Sequence, residues 1–191
     1  LEFNDIFLKV ERTLAPGHEL SARIGLMREN SQVSYSGLTQ AEYLADPYDN
    51  PFSNDRFDTE RFTTALTHAW SISDTVRLTS SAYSLWFDRD WWRQSSNSGR
   101  RPNDSSDPLC VGMTNLNTTC GTEGRLREDN QYGLETRLKW ETALFGAQTS
   151  VETGVRWHTE RQNRLQINAD TPNGRTPGVS VNGGVPERQR R

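Results

Sequence analysis

The sequence predicts an all-β fold, an antiparallel transmembrane β-barrel section of about six strands with tight turns at one end and long loops at the other. Three observations predict it. Apolar and polar residues alternate with a period of two in three pairs of segments. The connection inside each pair is a few residues long, whereas 28–60, 88–130 and 159–191 each exceed 30 residues. The tryptophans gather toward the ends of the alternating segments, where the two interfacial girdles of a membrane barrel stand.

In the first pair Ile6, Leu8 and Val10 alternate with Phe7, Lys9 and Glu11. APGH at 15–18 turns the chain, and Leu20, Ala22, Ile24 and Leu26 return against Glu19, Ser21, Arg23 and Gly25. Within the long connection that follows, Thr39, Gln40, Ala41 and Glu42 have capping-box spacing, so a short helix is expected there before Asp46-Pro47 stops it. In the second pair Phe62, Thr64, Leu66, His68, Trp70 and Ile72 share a face, SDT at 73–75 turns, and Val76, Leu78, Ser80 and Ala82 return. The third pair is the cleanest. Tyr132, Leu134, Thr136, Leu138 and Trp140 alternate with Gly133, Glu135, Arg137, Lys139 and Glu141. Beyond ALFGA at 143–147, Thr149, Val151, Thr153, Val155 and Trp157 alternate with Ser150, Glu152, Gly154, Arg156 and His158.

A soluble sheet with one wet side gives the same alternation. The loop lengths separate the two readings, since compact domains seldom carry connections above about 12–15 residues, whereas outer-membrane barrels pair short periplasmic turns with long extracellular loops. Trp70 and Trp140 would then belong to the short-turn girdle, and Trp86, Trp91, Trp92 and Trp157 to the long-loop girdle. Composition agrees: hydrophobic residues are 32% of 191, too few for a compact core, while six tryptophans are too many for a disordered chain. Lys plus Arg is 22 and Asp plus Glu 25, a net charge of −3 that offers no basic field for nucleic acid. No run of 18 apolar residues exists, which excludes a membrane-spanning helix and leaves membrane strands untouched. Six strands cannot enclose a useful polar lumen, and single-chain bacterial barrels start at about eight. The chain is therefore expected to be the middle of a larger barrel. Residue 1, without an initiator Met or an apolar signal core, is expected not to be the start of the gene.

Cys110 and Cys120 lie in the polar tract LCVGMTNLNTTCG with no further metal-ligand types at hand. A local disulfide in an extracytoplasmic loop is the expectation, with two independent thiols as the alternative. No catalytic constellation stands out. His18, His68 and His158 are far apart in sequence and read as structural or solvated, and no nucleophile elbow, phosphate loop or zinc motif is present. Arg137, Lys139, Glu141, Glu152 and Arg156 read as a paired, water-facing wall. No cofactor, metal or catalytic residue is expected.

SYSGLTQAEYLADPYDNPF at 34–52, FTTALTHAW at 62–70 and VRLTSSAYSLWFDRDWWR at 76–93 resemble the TonB-dependent outer-membrane receptors, within them the ferric dicitrate receptor branch. The remaining strands match in pattern alone. The resemblance implies that residues 1–191 are part of a 22-stranded barrel domain in the bacterial outer membrane, with the N-terminal plug and the other strands outside the chain. It implies TonB-coupled uptake of a ferric chelate such as ferric citrate, and outer-membrane lipid, lipopolysaccharide, the protein's own plug and, through it, the TonB complex as partners. In that setting Arg89, Arg93, Arg100 and Arg101, beside Trp91 and Trp92, are candidate ligand-binding residues in the second loop, because guanidinium groups make charge-assisted bidentate bonds to carboxylates. Simple solvation or contact with lipopolysaccharide phosphates is the competing role. The competing functions are a secreted β-sandwich carbohydrate-binding module and an outer-membrane barrel of another function, a barrel enzyme included.

Overall fold

A computed structural model describes residues 1–33, 38, 40–49, 55–94, 122–169, 177–180 and 188–190. Six long strands form one antiparallel sheet in sequence order: β1 (Glu2–Ala15), β2 (His18–Ser31), β3 (Arg56–Ser73), β4 (Val76–Gln94), β5 (Thr122–Leu144) and β6 (Ala147–Ala169). Two short strands, β7 (Pro177–Ser180) and β8 (Arg188–Arg190), both pair with the outer half of β6. The single helix among the described residues, α1 (Gln40–Ala45), stands where the capping box places one.

Antiparallel partners point to the same side of a sheet, so the register sorts every side chain. Ile6 pairs with Leu26, Leu26 with Phe62, Phe62 with Trp86, Trp86 with Asn130 and Asn130 with Arg161. Below that line one face carries an apolar band: Leu8 and Val10, Ala22 and Ile24, Leu66 and Trp70, Leu78 and Ala82, Leu134 and Trp140, Val151 and Trp157. These side chains are not a buried core, since Leu134 is 55% and Val155 72% exposed. Above the line the same face turns polar, with Arg28 on Glu60 at 3.0 Å and Arg56 on Asp58 at 2.6 Å. The opposite face is polar through most of its length.

The band is about nine residues tall on β3 and β5, from Phe62 to Trp70 and from Tyr132 to Trp140, and shorter on β1 and β6. It also slopes. Its upper edge is Ile6 on β1, which shares a register line with Arg161, yet on β6 the edge is Trp157, four residues lower. Its lower edge runs from Val10, on the line of Trp157, to Val151, six residues lower. Four to six residues at about 3.3 Å each, over five strand spacings of about 4.8 Å, is a slope of roughly 30–40°. The turns step the same way. Ser71 N–H donates to the Gly17 carbonyl at 2.8 Å, and Glu141 N–H to the Thr75 carbonyl at 2.8 Å, so each hairpin reaches a few residues past the one before.

The turns are built from the residues their geometry requires. Gly17 follows Pro16 at φ 78°, and Phe145 and Gly146 both take positive φ, 51° and 81°, as a two-residue hairpin turn of the twist-matching kind demands. Strands extend well past the alternating segments. The largest change is in β4, which runs to Gln94 and so carries Arg89, Trp91, Trp92 and Arg93 on a strand and not in a loop.

One close approach on the polar face is decided by a missing side chain. The Tyr83 ring lies over Gly133, where an added Cβ would fall 2.1 Å from Tyr83 Cζ. The ring cannot simply swing aside, because Arg156 Nε donates to its hydroxyl at 2.9 Å and that hydroxyl meets His158 Nδ1 at 3.0 Å. Gly133→Ala is expected to lower stability by about 1–3 kcal/mol through overpacking. Combining it with Tyr83→Ser should recover most of that loss, which urea unfolding of the two singles and the double would measure; additive losses would refute the contact.

Candidate functional site

The richest chemistry lies on the polar face beyond the apolar band, where β4, β5 and β6 rise above the line of Trp86. Alternation puts Arg89, Trp91 and Arg93 on this face and Trp92 on the other. Trp91 is the fixed point. Its indole N–H donates to the Val33 carbonyl at 2.9 Å, and Phe57 meets it edge-on at 6.3 Å between centroids. The Arg89 and Arg93 guanidiniums sit over its ring at 5.8 and 5.2 Å, one from each neighbouring position on the face. Trp91 therefore orders both arginines.

Arg93 leads into a buried charge cluster. Glu123, 1% exposed, accepts from Arg93, from Arg125 Nε at 3.3 Å and from the Gln166 side-chain amide at 3.3 Å. Its two oxygens thus gather donors from three strands at the level where the sheet meets its long connections. A carboxylate so far out of water is tolerated only with such partners.

Arg89 has a different environment. The register sets it opposite Arg127, and Arg127 opposite Arg164, so three guanidinium-bearing positions follow one another across β4, β5 and β6. Burial, followed by repulsion from Arg127 and Arg164, pushes the Arg89 pKa down to about 10, with Asp129 opposing. On the other face, just past Trp86, burial first and then repulsion from Asp90, Glu128 and Glu60 raise the Asp88 carboxyl, while burial and Asp58 raise Asp90.

The two adjacent tryptophans thus serve different sides. Trp92 is buried with Ile167, flanked by Leu126 and Leu165, and its ring covers Gly124, where a Cβ would come within 2.8 Å of it. It does not join Trp91, Arg89 and Arg93. Arg100, Arg101, Cys110 and Cys120 lie outside the described residues. Among the described residues, no group of three or more His, Cys, Asp or Glu side chains is placed to hold a metal ion.

Lower on the polar face the charged wall is paired. Arg137 meets Glu135 at 2.5 Å and Glu152 at 3.6 Å, Lys139 meets Glu141 at 2.7 Å, and Arg156 lies 3.9 Å from Glu135. The histidines are less solitary than their sequence spacing implies. His18 Nδ1 is 3.2 Å from His68 Nε2 at the short-turn end of the apolar face, with His18 also stacked on Trp70. Neither pairing is readable without the register between hairpins. No protein-family model matches the chain, and no curated protein matches it.

Because Glu123 holds three strands at one point, Glu123→Gln is expected to leave the Arg93 charge buried and undercompensated, at a cost of about 3 kcal/mol. Hydrogen exchange should accelerate at 91–93 and 123–126 while 132–140 stays protected. Equal acceleration in both regions would show that the cluster is not a local clamp.

Proposed function

We propose that this chain is part of the wall of an outer-membrane β-barrel, and within that class part of a TonB-dependent receptor that takes up a ferric chelate such as ferric citrate. The observation that carries the membrane reading is the sloping apolar band. Its height of about nine residues on β3 and β5 matches the 9–11 residues of a tilted membrane strand, and its slope matches the strand tilt that a closed barrel requires. Aromatic residues border it where headgroups would lie, with Trp70 and Trp140 below and Phe62, Trp86, Tyr132 and Trp157 above. An exposed apolar field across six strands is far beyond the few hundred Å² that soluble monomers display.

A secreted β-sandwich would set a second sheet about 10 Å over the apolar face. The described residues form one sheet whose apolar side chains stand open, which favours lipid as their solvent. The opposite face, with its ion-paired wall, then lines the aqueous lumen and faces the protein's own plug. The cargo and the coupling to TonB are supported by the resemblance at 34–52, 62–70 and 76–93; a barrel of another function would share the same wall and differ in what it passes.

Single spin labels at Leu134, Leu138, Val151 and Val155 of the intact protein in native membranes are expected to report lipid, through strong oxygen and weak nickel-chelate relaxation. Labels at Arg137, Lys139, Glu152 and Arg156 should report water. Aqueous exposure of both sets would overturn the membrane reading. Ferric citrate uptake by cells expressing the intact protein, lost on removing the TonB complex, tests the cargo separately.

A further inference from the structure

His18 and His68 are 50 residues apart in sequence, yet their rings meet. His18 opens β2 directly after the Gly17 turn, and the register sets it opposite Trp70, two residues beyond His68 on β3. His18 Nδ1 stands 3.2 Å from His68 Nε2; with the ring centroids 5.4 Å apart and the planes at 11°, these two nitrogens are turned toward each other. The Trp70 ring, stacked on His18 at 5.4 Å, holds that imidazole from a second direction. The backbone is tied beside the pair, since Ser71 N–H donates to the Gly17 carbonyl at 2.8 Å. Both imidazoles stay partly exposed.

On its own the pair makes an N–H···N hydrogen bond. The same spacing has a second use. A divalent ion takes an imidazole nitrogen at about 2.0–2.1 Å, so two imidazoles on neighbouring corners of a tetrahedron stand about 3.3 Å apart. The surroundings select the ion. The register line of His68 runs through Leu20 to Arg12 on one side and through Ser80 and Thr136 to Val155 on the other, with Arg12 its one charged member. Among the described residues, this face carries no carboxylate between the short turns and the line of Trp86. Imidazoles without carboxylates suit Zn²⁺, Cu²⁺ and Ni²⁺, whereas Mg²⁺ and Ca²⁺ want oxygen. We propose that His18 and His68 form a two-ligand site for a divalent metal ion of the Zn²⁺, Cu²⁺ and Ni²⁺ class, with water in the remaining positions. Binding moves the hydrogen between the two nitrogens to the far nitrogen of its own ring. The bound ion joins the first hairpin to the second, whose connection is 32–55, and a clip that closes a long connection stabilises more than one across a tight turn. Trp70 and the bond between Ser71 and Gly17 hold the pair in place beforehand, which lessens the ordering that binding requires. The site needs only the pairing of β2 with β3, so it stands apart from the cargo and from the membrane reading.

The test uses the intact protein purified in detergent and stripped of metal with a chelator. Zn²⁺ binding is read by titration calorimetry and the thermal midpoint by tryptophan fluorescence. Wild type should take up one equivalent of Zn²⁺ that His18→Gln and His68→Gln each bind about tenfold or more weakly. His158→Gln, on the other face, should bind within about twofold of wild type. Zn²⁺ should raise the midpoint of wild type and not that of His68→Gln. In wild type, Zn²⁺ should also protect His18 and His68, but not His158, from diethyl pyrocarbonate, as mapped by peptide mass spectrometry. Equal Zn²⁺ stoichiometry and affinity in wild type and both variants would overturn the proposal. So would full reactivity of His18 and His68 in the presence of Zn²⁺, a result that does not depend on how well the variants fold. The spin-label experiment fails independently: water at Leu134 and Val155 with Zn²⁺ binding intact would remove the bilayer and leave the site.

Discussion

A strand pair can slip by one residue only by exchanging its two faces, and in this sheet such a slip would carry Leu134, Leu138 and Trp140 to the side of Arg137 and Glu152. The continuous antiparallel ladder from β1 to β6 is therefore the constraint on which the rest depends. Between neighbouring strands it satisfies the backbone donors and acceptors, as the proposed place in a bilayer would require. It also turns a sequence pattern into two surfaces of opposite character. Turn chemistry at Gly17 and at Phe145-Gly146 pins the hairpins, and the Tyr83 ring over Gly133 adds a further check on the pairing of β4 with β5.

The same ladder decides where charge is comfortable. Near the turns each charge has a carboxylate at hand, so that Arg137 meets Glu135 and Glu152, and Lys139 meets Glu141. Farther out, the register sets Arg89, Arg127 and Arg164 in a row. Two unit charges about 4 Å apart interact by about 4 kcal/mol at an effective dielectric of about 20, and guanidiniums splay apart to escape part of that. Burial first, and then what remains of this repulsion, lowers the Arg89 pKa. Buried charge and opposed charge thus lie close together at this end of the sheet: Glu123 gathers three donors, and four residues away along β5 stands Arg127 of the arginine row.

The fold was legible where the faces contrast. From 6 to 10 every second residue is apolar, and from 62 to 72 and 132 to 140 all but Thr64, His68 and Thr136 are, and the strands, the turns and the short helix stand where that pattern and the capping box put them. Legibility ended where the contrast ended. Past Trp86 the chain reads Phe87, Asp88, Arg89, Asp90, with charge on both sides of the strand, and a period of two cannot be seen in residues that are all polar. That is why 88–94 read as a loop and why Trp91 and Trp92, neighbours in sequence, read as one surface. Once the strand is extended, their adjacency alone sends them to opposite faces. The arginine row and the pairing of His18 with His68 were hidden for another reason, since each depends on register between hairpins joined by long connections.

The strands differ in reach. Counted from the short turns, β2 has 14 residues, β4 19, and β5 and β6 23 each. Measured from the upper edge of the apolar band, β2 runs five residues on from Leu26 to Ser31 and β5 ten from Tyr132 to Thr122, so one side of this wall stands about 17 Å farther beyond the band than the other. In a closed barrel the mouth would be cut obliquely, like a quill. A diffusing solute would strike the tall side first, and a molecule held there weakly would explore a surface instead of a volume on its way down. The search for the pore would then begin well outside the membrane, on the part of the sheet where the arginines are.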